Sequence, residues 1–179
     1  MAIKQNKAVF LDRDGVIITE KDFIVDIDLL EYIPRSVEAL KLIPSCYLKV
    51  IISNQSGIGR GYFNAAQVEA FNEALIADLK KRGVSIDGIY YCPHKKEDNC
   101  NCRKPKTGLF EIARNRFGLD FSKCWVVGDK SSDIQAGINI GAKTVLVMTG
   151  YAGKEPSAEN IVADFTVKDL YEAVEIIKS

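Results

Sequence analysis

The sequence of 179 residues has one histidine, no net charge and no long apolar run. A balance of 24 basic against 24 acidic residues argues against a protein whose main task is to neutralise a nucleic-acid backbone or an anionic bilayer. The longest apolar stretches, such as Thr144–Met148, fall far short of the ~20 residues that a membrane-spanning helix needs. We therefore expect neither a nucleic-acid partner nor a membrane partner.

Signals of secretion and of several domains are also missing. The first residues, Met1–Asn6, lack the apolar segment of a secretory signal, so we expect a cytoplasmic protein. No linker, repeat or low-complexity segment divides the chain, and a domain of this length can bury roughly 70% of its unfolded surface. We expect one domain over residues 1–179. No heptad or exposed apolar helix demands a partner, so we expect a monomer.

The single histidine lies among three of the five cysteines. The four potential ligands fall within eleven residues: Cys92, His94, Cys100 and Cys102. Their spacing permits a tetrahedral Zn²⁺ shell closed by four protein ligands, which is a structural site, in a loop over about residues 91–106. A redox Cys-x-Cys pair or metal-free buried thiols remain the alternatives. The other two cysteines, Cys46 and Cys124, lie on or beside predicted strands, and we expect them in the core.

Apolar runs alternate with helix-like segments along the whole chain. Six runs are typical of buried strands: Ala8–Leu11, Leu48–Ile52, Ile86–Tyr91, Trp125–Val127, Thr144–Met148 and Ala163–Val167. Five segments carry helical spacing or stop signals: Pro34–Leu42, Asn64–Gly83, Thr107–Phe117, Ser132–Ile140 and Asp169–Ile177. This alternation predicts an α/β fold, with right-handed crossovers and a central parallel sheet between two layers of helices.

Polar residues follow the central predicted strands. They lie in four segments: Asp12-Arg13-Asp14-Gly15, Ser53-Asn54-Gln55-Ser56, Arg103-Lys104 and Gly128-Asp129-Lys130. Because open parallel sheets bind ligands at the carboxyl ends of their strands, three aspartates, a hydroxyl and a lysine should converge on one crevice. Carboxylates this close repel each other unless a cation lies between them, and oxygen ligands favour Mg²⁺. Turn chemistry explains the Asp and Gly residues alone, but it does not call for the serine and the lysine.

The order of these residues resembles a known superfamily. The segments Asp12-x-Asp14-Gly15-Val16, Ser53, Lys104 and Gly128-Asp129-x-x-x-Asp133 are similar to the four motifs of the haloacid dehalogenase (HAD) superfamily, over nearly the whole chain. The resemblance implies a Rossmann-like three-layer fold and a phosphoric monoester hydrolase. It implies that Asp12 attacks the phosphoryl group to form an aspartyl-phosphate, and that Asp14 protonates the leaving alkoxide and then activates water. A carboxylate nucleophile splits the reaction into two easier steps.

The same resemblance implies the remaining parts of the site. Mg²⁺ would bind to Asp12, the Asp14 backbone carbonyl and Asp129, with Asp133 behind them orienting Lys104 or the metal ligands. Ser53 and Lys104 would stabilise the phosphoryl oxygens. The segments between the motifs leave no room for a large cap domain, so we expect an open site.

Two groups within the superfamily share features with this chain. The stretches Ser53–Gly61 and Tyr90–His94 are similar to the D-glycero-D-manno-heptose 1,7-bisphosphate 7-phosphatases, which serve nucleotide-activated heptose biosynthesis. The five residues between His94 and Cys100 resemble the shorter loop of histidinol-phosphate phosphatases. By the first resemblance a sugar bisphosphate would contact Glu20, Lys21, Asp22, Phe23, Ser53, Asn54, Gln55, Ser56, Arg103, Lys104 and Lys130.

The residues leave two alternatives open. A second phosphate would favour the cations Arg60, Arg103 and Lys130, whereas the ammonium of histidinol phosphate would favour acidic partners: Glu20, Asp22, Glu97 or Asp98. In a different class, a basic patch could make the chain a zinc-stabilised nucleic-acid-binding module: Lys95, Lys96, Arg103, Lys104 and Lys106. Zero net charge and few aromatic residues near the patch weigh against this module.

Overall fold

The structure, a computed structural model, describes residues 6–156 and 160–179, so most of the N-terminal segment considered above lies outside the described residues. One parallel sheet has the strand order β3-β2-β1-β4-β5-β6. Its strands are β1 (Ala8–Leu11), β2 (Leu48–Asn54), β3 (Gly88–Cys92), β4 (Trp125–Gly128), β5 (Lys143–Val147) and β6 (Phe165–Val167). The order reverses between β1 and β4, and open α/β sheets bind ligands in the crevice at such a point.

Helices cover both faces of the sheet. They are α1 (Ser36–Leu42), α2 (Ala65–Lys81), α3 (Gly108–Phe117), α4 (Ser131–Ile140) and α5 (Leu170–Lys178). Side chains of β1 alternate between two buried clusters: Val9 and Leu11 pack with α1, α2 and α5, whereas Ala8 and Phe10 pack with α3 and α4. The predicted parallel sheet between two helical layers is confirmed.

Local signals explain where several elements begin and end. Asn64 and Gln67 form a reciprocal capping box at the start of α2. Gly118 and Gly141 end α3 and α4 in the left-handed conformation that glycine adopts without steric cost. Strand β3 is shifted toward the carboxyl end of the predicted run, because its register with β2 pairs Asn54 with Cys92.

One core prediction is wrong. Cys124 is buried, but Cys46 is exposed. Cys46 lies in the turn closed by the Tyr47 amide, which donates to the Pro44 carbonyl just before β2 begins. Among the described residues, no helix has the length and apolar character needed to cross a membrane.

Candidate active site

The carboxyl ends of β1, β2 and β4 open into a crevice of about 730 Å³. Most predicted site residues line it: Asp12, Asp14, Glu20, Asp22, Phe23, Ser53, Asn54, Gln55, Ser56, Arg103, Lys104, Lys130 and Asp133. Asp129 lies beside it, fully buried. Four strand-end segments that are distant in sequence therefore meet at one place.

A buried lysine lies between two aspartates at the base of the crevice. Nζ of Lys104 is 3.0 Å from Oδ1 of Asp12 and 2.7 Å from Oδ1 of Asp133. It also donates a hydrogen bond of 2.6 Å to the Ile52 carbonyl. Burial acts to raise the pKa of Asp12, but the ammonium groups of Lys104 and Lys130 hold that pKa below its ordinary value. Asp12 is therefore an ionised carboxylate at the base of the crevice.

The ammonium of Lys104 stays charged in the same setting. Burial acts to lower its pKa, but the carboxylates of Asp12 and Asp133 hold the pKa above its ordinary value. Lys104 is only 4% exposed. The basic patch considered for nucleic acid therefore loses its central member, because this ammonium cannot reach a phosphate backbone outside the crevice.

Asp129 provides a test of whether the site suits a cation. Its Oδ2 accepts a hydrogen bond of 2.8 Å from the Tyr151 amide, whereas its buried Oδ1 has no hydrogen-bond partner in the described part of the chain. Burial, together with the charges of Asp12 and Asp133, raises the pKa of Asp129 to about 8 although Lys130 opposes the shift. Carboxylate oxygens of Asp12, Asp129 and Asp133 lie within 4.8 Å of one another. This set of hard oxygen donors fits Mg²⁺.

Gly15 allows the backbone to approach these carboxylates. Its φ of +86° lies in the left-handed region, and a Cβ at this position would overlap the Asp129 carboxylate. The Thr149 hydroxyl donates to the Gly15 carbonyl at 2.6 Å and so holds the turn from the other side. Glycine is required here on both grounds, the backbone angle and the close approach.

The Asp14 side chain is held by three donated hydrogen bonds. Nε and Nη2 of Arg13 donate to its two oxygens at 3.1 Å each, and Nε2 of Gln55 donates to Oδ2 at 2.9 Å. The same Gln55 nitrogen lies 2.7 Å from Oγ of Ser53, which accepts from it. Gln55 therefore links two of the predicted catalytic side chains. No role for Arg13 was predicted from the sequence, although its position between Asp12 and Asp14 indicated that it lies in the site.

The cysteine and histidine side chains form a compact cluster. Sulfur atoms of Cys92, Cys100 and Cys102 lie 3.1–3.6 Å apart, and Nδ1 of His94 lies 3.3 Å from Cys102 and 3.7 Å from Cys92. A tetrahedron with bonds of about 2.3 Å would separate its ligands by roughly 3.8 Å. The cluster therefore has approximately the size and the donor set that Zn²⁺ requires.

The loop that carries the cluster is fastened to the catalytic strands. The Asn54 side chain accepts from the Lys104 amide at 3.1 Å and donates to the Lys104 carbonyl at 3.3 Å. Arg103 donates to the His94 carbonyl at 3.2 Å. The position of Lys104 thus depends on this loop.

A second group of contacts closes one side of the crevice. Nζ of Lys130 lies 2.8 Å from Oε2 of Glu20 and 4.9 Å from the centre of the Tyr151 ring. The Tyr151 hydroxyl donates to Asp22 at 3.0 Å. Tyr151 was not predicted as a site residue. Its position in the sequence was nevertheless a signal. Thr149 and Tyr151 follow β5, as the predicted polar site residues follow the other strands.

Lys21 is the exception among the predicted substrate contacts. Its ammonium donates to the Leu29 carbonyl at 3.1 Å and pairs with Glu31 at 2.9 Å, and Lys21 does not line the crevice. Positive φ angles at Asp22 and Phe23 turn the chain sharply at this point. Lys21 therefore braces the loop from outside the crevice, and its contact with a substrate stays a prediction.

Fold and site together place the chain among the HAD-like hydrolases, and the HAD-hydrolase-like family profile matches residues 101–173. The chain is 38% identical to the D-glycero-beta-D-manno-heptose-1,7-bisphosphate 7-phosphatase of Pasteurella multocida, over 96% of the chain and 97% of that protein. It is also 38% identical to the D-glycero-alpha-D-manno-heptose-1,7-bisphosphate 7-phosphatase of Photorhabdus laumondii, over 93% of the chain and 97% of that protein. The chain belongs to the heptose-1,7-bisphosphate 7-phosphatase family.

A solved structure agrees with this assignment. The D,D-heptose 1.7-bisphosphate phosphatase from B. bronchiseptica, complexed with magnesium and phosphate, matches with a TM-score of 0.86 and 32% identity. The match covers 96% of this chain and 98% of that one. The resemblance drawn from the four motifs is confirmed, and the protein is a phosphoric monoester hydrolase.

Proposed function

We propose that the protein removes the 7-phosphate of D-glycero-D-manno-heptose 1,7-bisphosphate, as a magnesium-dependent, monomeric and cytoplasmic enzyme of nucleotide-activated heptose biosynthesis. The observation that carries the proposal is the ionised Asp12 carboxylate, which lines the crevice beside the buried ammonium of Lys104. The relatives named above support the choice of substrate.

The reaction proceeds in two displacements at phosphorus. A carboxylate oxygen of Asp12 attacks the phosphoryl group while the bond to the C7 oxygen breaks, and Asp14 gives its proton to that leaving oxygen. Asp14 then takes a proton from water, which attacks the phosphorus of the aspartyl-phosphate. The second displacement releases inorganic phosphate and restores Asp12.

Charge on the phosphoryl oxygens is met by fixed groups. Lys104 and the Ser53 hydroxyl hold two of these oxygens, and both side chains line the crevice beside Asp12. Mg²⁺, when bound, supplies further charge neutralisation. Asp12, Asp129 and the Asp14 carbonyl would hold it, with Asp133 keeping Lys104 in place at 2.7 Å.

The charges that line the crevice favour a bisphosphate over histidinol phosphate. All three cations that a second phosphate would need line the crevice: Arg60, Arg103 and Lys130. Of the four carboxylates that an ammonium would need, Glu97 and Asp98 do not line the crevice. Glu20 is paired with Lys130, and Asp22 accepts from Tyr151.

We also propose that Zn²⁺ binds Cys92, His94, Cys100 and Cys102 as a structural ion. Residues 93–106 contribute few buried apolar side chains, so metal binding would supply the folding free energy that this loop lacks. Arg103 and Lys104 follow the last ligand directly, which ties the phosphate-binding cations to the metal cluster.

A kinetic comparison tests the proposed substrate. Phosphate release is measured with Mg²⁺ from the alpha and beta anomers of the heptose bisphosphate and from histidinol phosphate. We expect kcat/KM for at least one heptose anomer to exceed that for histidinol phosphate by two orders of magnitude or more. Both anomers are required because relatives of equal identity act, by name, on opposite ones. A preference for histidinol phosphate would refute the proposed substrate and leave the reaction type intact.

A further inference from the structure

Arg13 is a buried cation for which the two displacements give no role. It lies between the two reacting aspartates in sequence and is only 1% exposed. Its side chain fits the Asp14 carboxylate with two hydrogen bonds, one from Nε and one from Nη2, both 3.1 Å long. This paired geometry fixes the plane of the carboxylate as well as its position.

A long side chain can fix Asp14 only if it is itself held in place. Three uncharged groups contact the guanidinium in addition to Asp14. Oδ1 of Asn72 accepts from Nη1 at 2.9 Å, the Ile24 carbonyl accepts from Nη2 at 3.3 Å, and the Phe71 ring lies 4.6 Å from the guanidinium carbon. Because Asn72 and Phe71 belong to α2, the helix is connected to Asp14 through Arg13.

Among these anchors, Asn72 is the one that a side-chain substitution can remove without disturbing the ring packing. Asn72 is 5% exposed in the apolar face of α2, where a polar side chain costs free energy unless it is hydrogen-bonded. Its oxygen accepts from Nη1 of Arg13. Loss of that acceptor would leave a buried guanidinium N–H unpaired and would free the guanidinium to tilt.

We propose that Asn72 is a positioning residue for the proton transfer by Asp14, acting through Arg13. The inference rests on the proposed function, since it takes Asp14 as the group that protonates the leaving oxygen. Asn72 touches neither the phosphoryl group nor the metal ligands. Its effect should therefore appear where the leaving oxygen needs a proton, and not in phosphate binding.

Two nearly isosteric variants separate the acceptor oxygen from the shape of the side chain. Asn72→Leu removes the oxygen, and Asn72→Asp keeps one at the same position. kcat/KM is measured for the heptose bisphosphate, whose alkoxide needs a proton to leave, and for p-nitrophenyl phosphate, whose phenolate leaves without one. A positioned acid contributes roughly 10²–10⁴ to the rate. The ratio to compare is kcat/KM for the heptose bisphosphate divided by kcat/KM for p-nitrophenyl phosphate. We expect Asn72→Leu to lower this ratio about tenfold, and we expect the ratio for Asn72→Asp to stay within about threefold of that for the parent.

A control on the same helix accounts for general loosening. Val68→Ala creates a small cavity beside α2 and leaves the side chains of Arg13 and Asn72 unchanged, since Val68 is fully buried one turn before Asn72. Thermal unfolding of all three variants shows whether they fold. We expect Val68→Ala to lower the unfolding temperature and leave the ratio of kcat/KM values unchanged.

The following results would overturn the inference. If Asn72→Leu lowers both kcat/KM values equally, or if Val68→Ala changes their ratio as much, Asn72 has only a structural role. If Asn72→Leu does not fold, Asn72→Ser replaces it in the same comparison, and an unchanged ratio in folded Asn72→Ser overturns the inference. If the parent protein releases phosphate from neither ester, the proposed function and this inference are both overturned. If the parent is active and Asn72→Leu leaves the ratio unchanged, this inference alone is overturned.

Discussion

The ammonium of Lys104 lies 3.0 Å from Oδ1 of Asp12, with both side chains almost completely buried. Asp12 follows β1, whereas Lys104 lies in the loop after β3 and is held against the end of the neighbouring strand β2 by Asn54 and the Ile52 carbonyl. Such a pair costs desolvation free energy, so it contributes little net stability and is retained here as part of the site. In the proposed mechanism the pair supplies a charged nucleophile and a cation for the phosphoryl group at one point.

Removing the lysine should damage both stability and activity. In Lys104→Met the carboxylates of Asp12 and Asp133 lose their shared cation and face each other in a buried site. Breaking a buried pair in this way costs about 3 kcal/mol of unfolding free energy, which urea titration measures. Lys106→Met is the matched control, because Lys106 is exposed and should cost below ~1 kcal/mol. Equal losses in the two variants would contradict the role given to the buried ammonium.

The proposed zinc site can be tested by the zinc content of the protein and by the effect of zinc loss on phosphatase activity. We expect about one zinc ion per chain in the purified protein, and its loss in Cys100→Ser, measured by elemental analysis. Phosphatase activity in excess Mg²⁺ should fall at least tenfold in that variant, since the loop no longer holds Lys104. Cys46→Ser should keep both zinc and activity, because Cys46 is exposed and outside the cluster. Full activity in zinc-free Cys100→Ser would show that the cluster does not position the lysine.

The Lys130 side chain should act on substrate affinity. Its Nζ lies at the crevice wall beside Glu20 and Tyr151, where it can hold a phosphate dianion. A hydrogen bond to a charged group contributes about 1.5–3 kcal/mol, so Lys130→Gln should raise KM for the heptose bisphosphate about tenfold or more. Lys143→Gln makes the same charge change at an exposed position at the start of β5, outside the crevice, and should leave KM unchanged. Similar KM values for the two variants would remove Lys130 from the binding site.

Much of the site was predictable from the sequence, because polar residues at the carboxyl ends of parallel strands meet at one edge of the sheet. Asp12 follows β1, Ser53 lies near the end of β2 and Asp133 lies in the first turn of α4, and a parallel sheet places such residues at one edge. The helices were predicted within a few residues because Gly118 and Gly141 are strong stop signals. These features depend on local chemistry that a sequence displays directly.

Side-chain partners could not be predicted in the same way. The contact between Arg13 and Asn72 joins a strand end to the middle of α2, and no spacing rule connects them. Lys21 contacts the Leu29 carbonyl and Glu31, and its position in the sequence indicates neither partner. The exposure of Cys46 depends on one turn before β2. In each case the outcome depends on tertiary geometry rather than on residue type.

Phosphate release by the Asp12→Asn variant shows whether Asp12 is the nucleophile of a magnesium-dependent phosphatase. The purified parent and the variant are compared on the heptose bisphosphate, with and without Mg²⁺, by a continuous phosphate assay. We expect the parent to release one phosphate per substrate molecule only with Mg²⁺, and Asp12→Asn to show no release above background, because an amide cannot form the aspartyl-phosphate. An Asp12→Asn variant that is folded and retains the parent's rate would contradict the account.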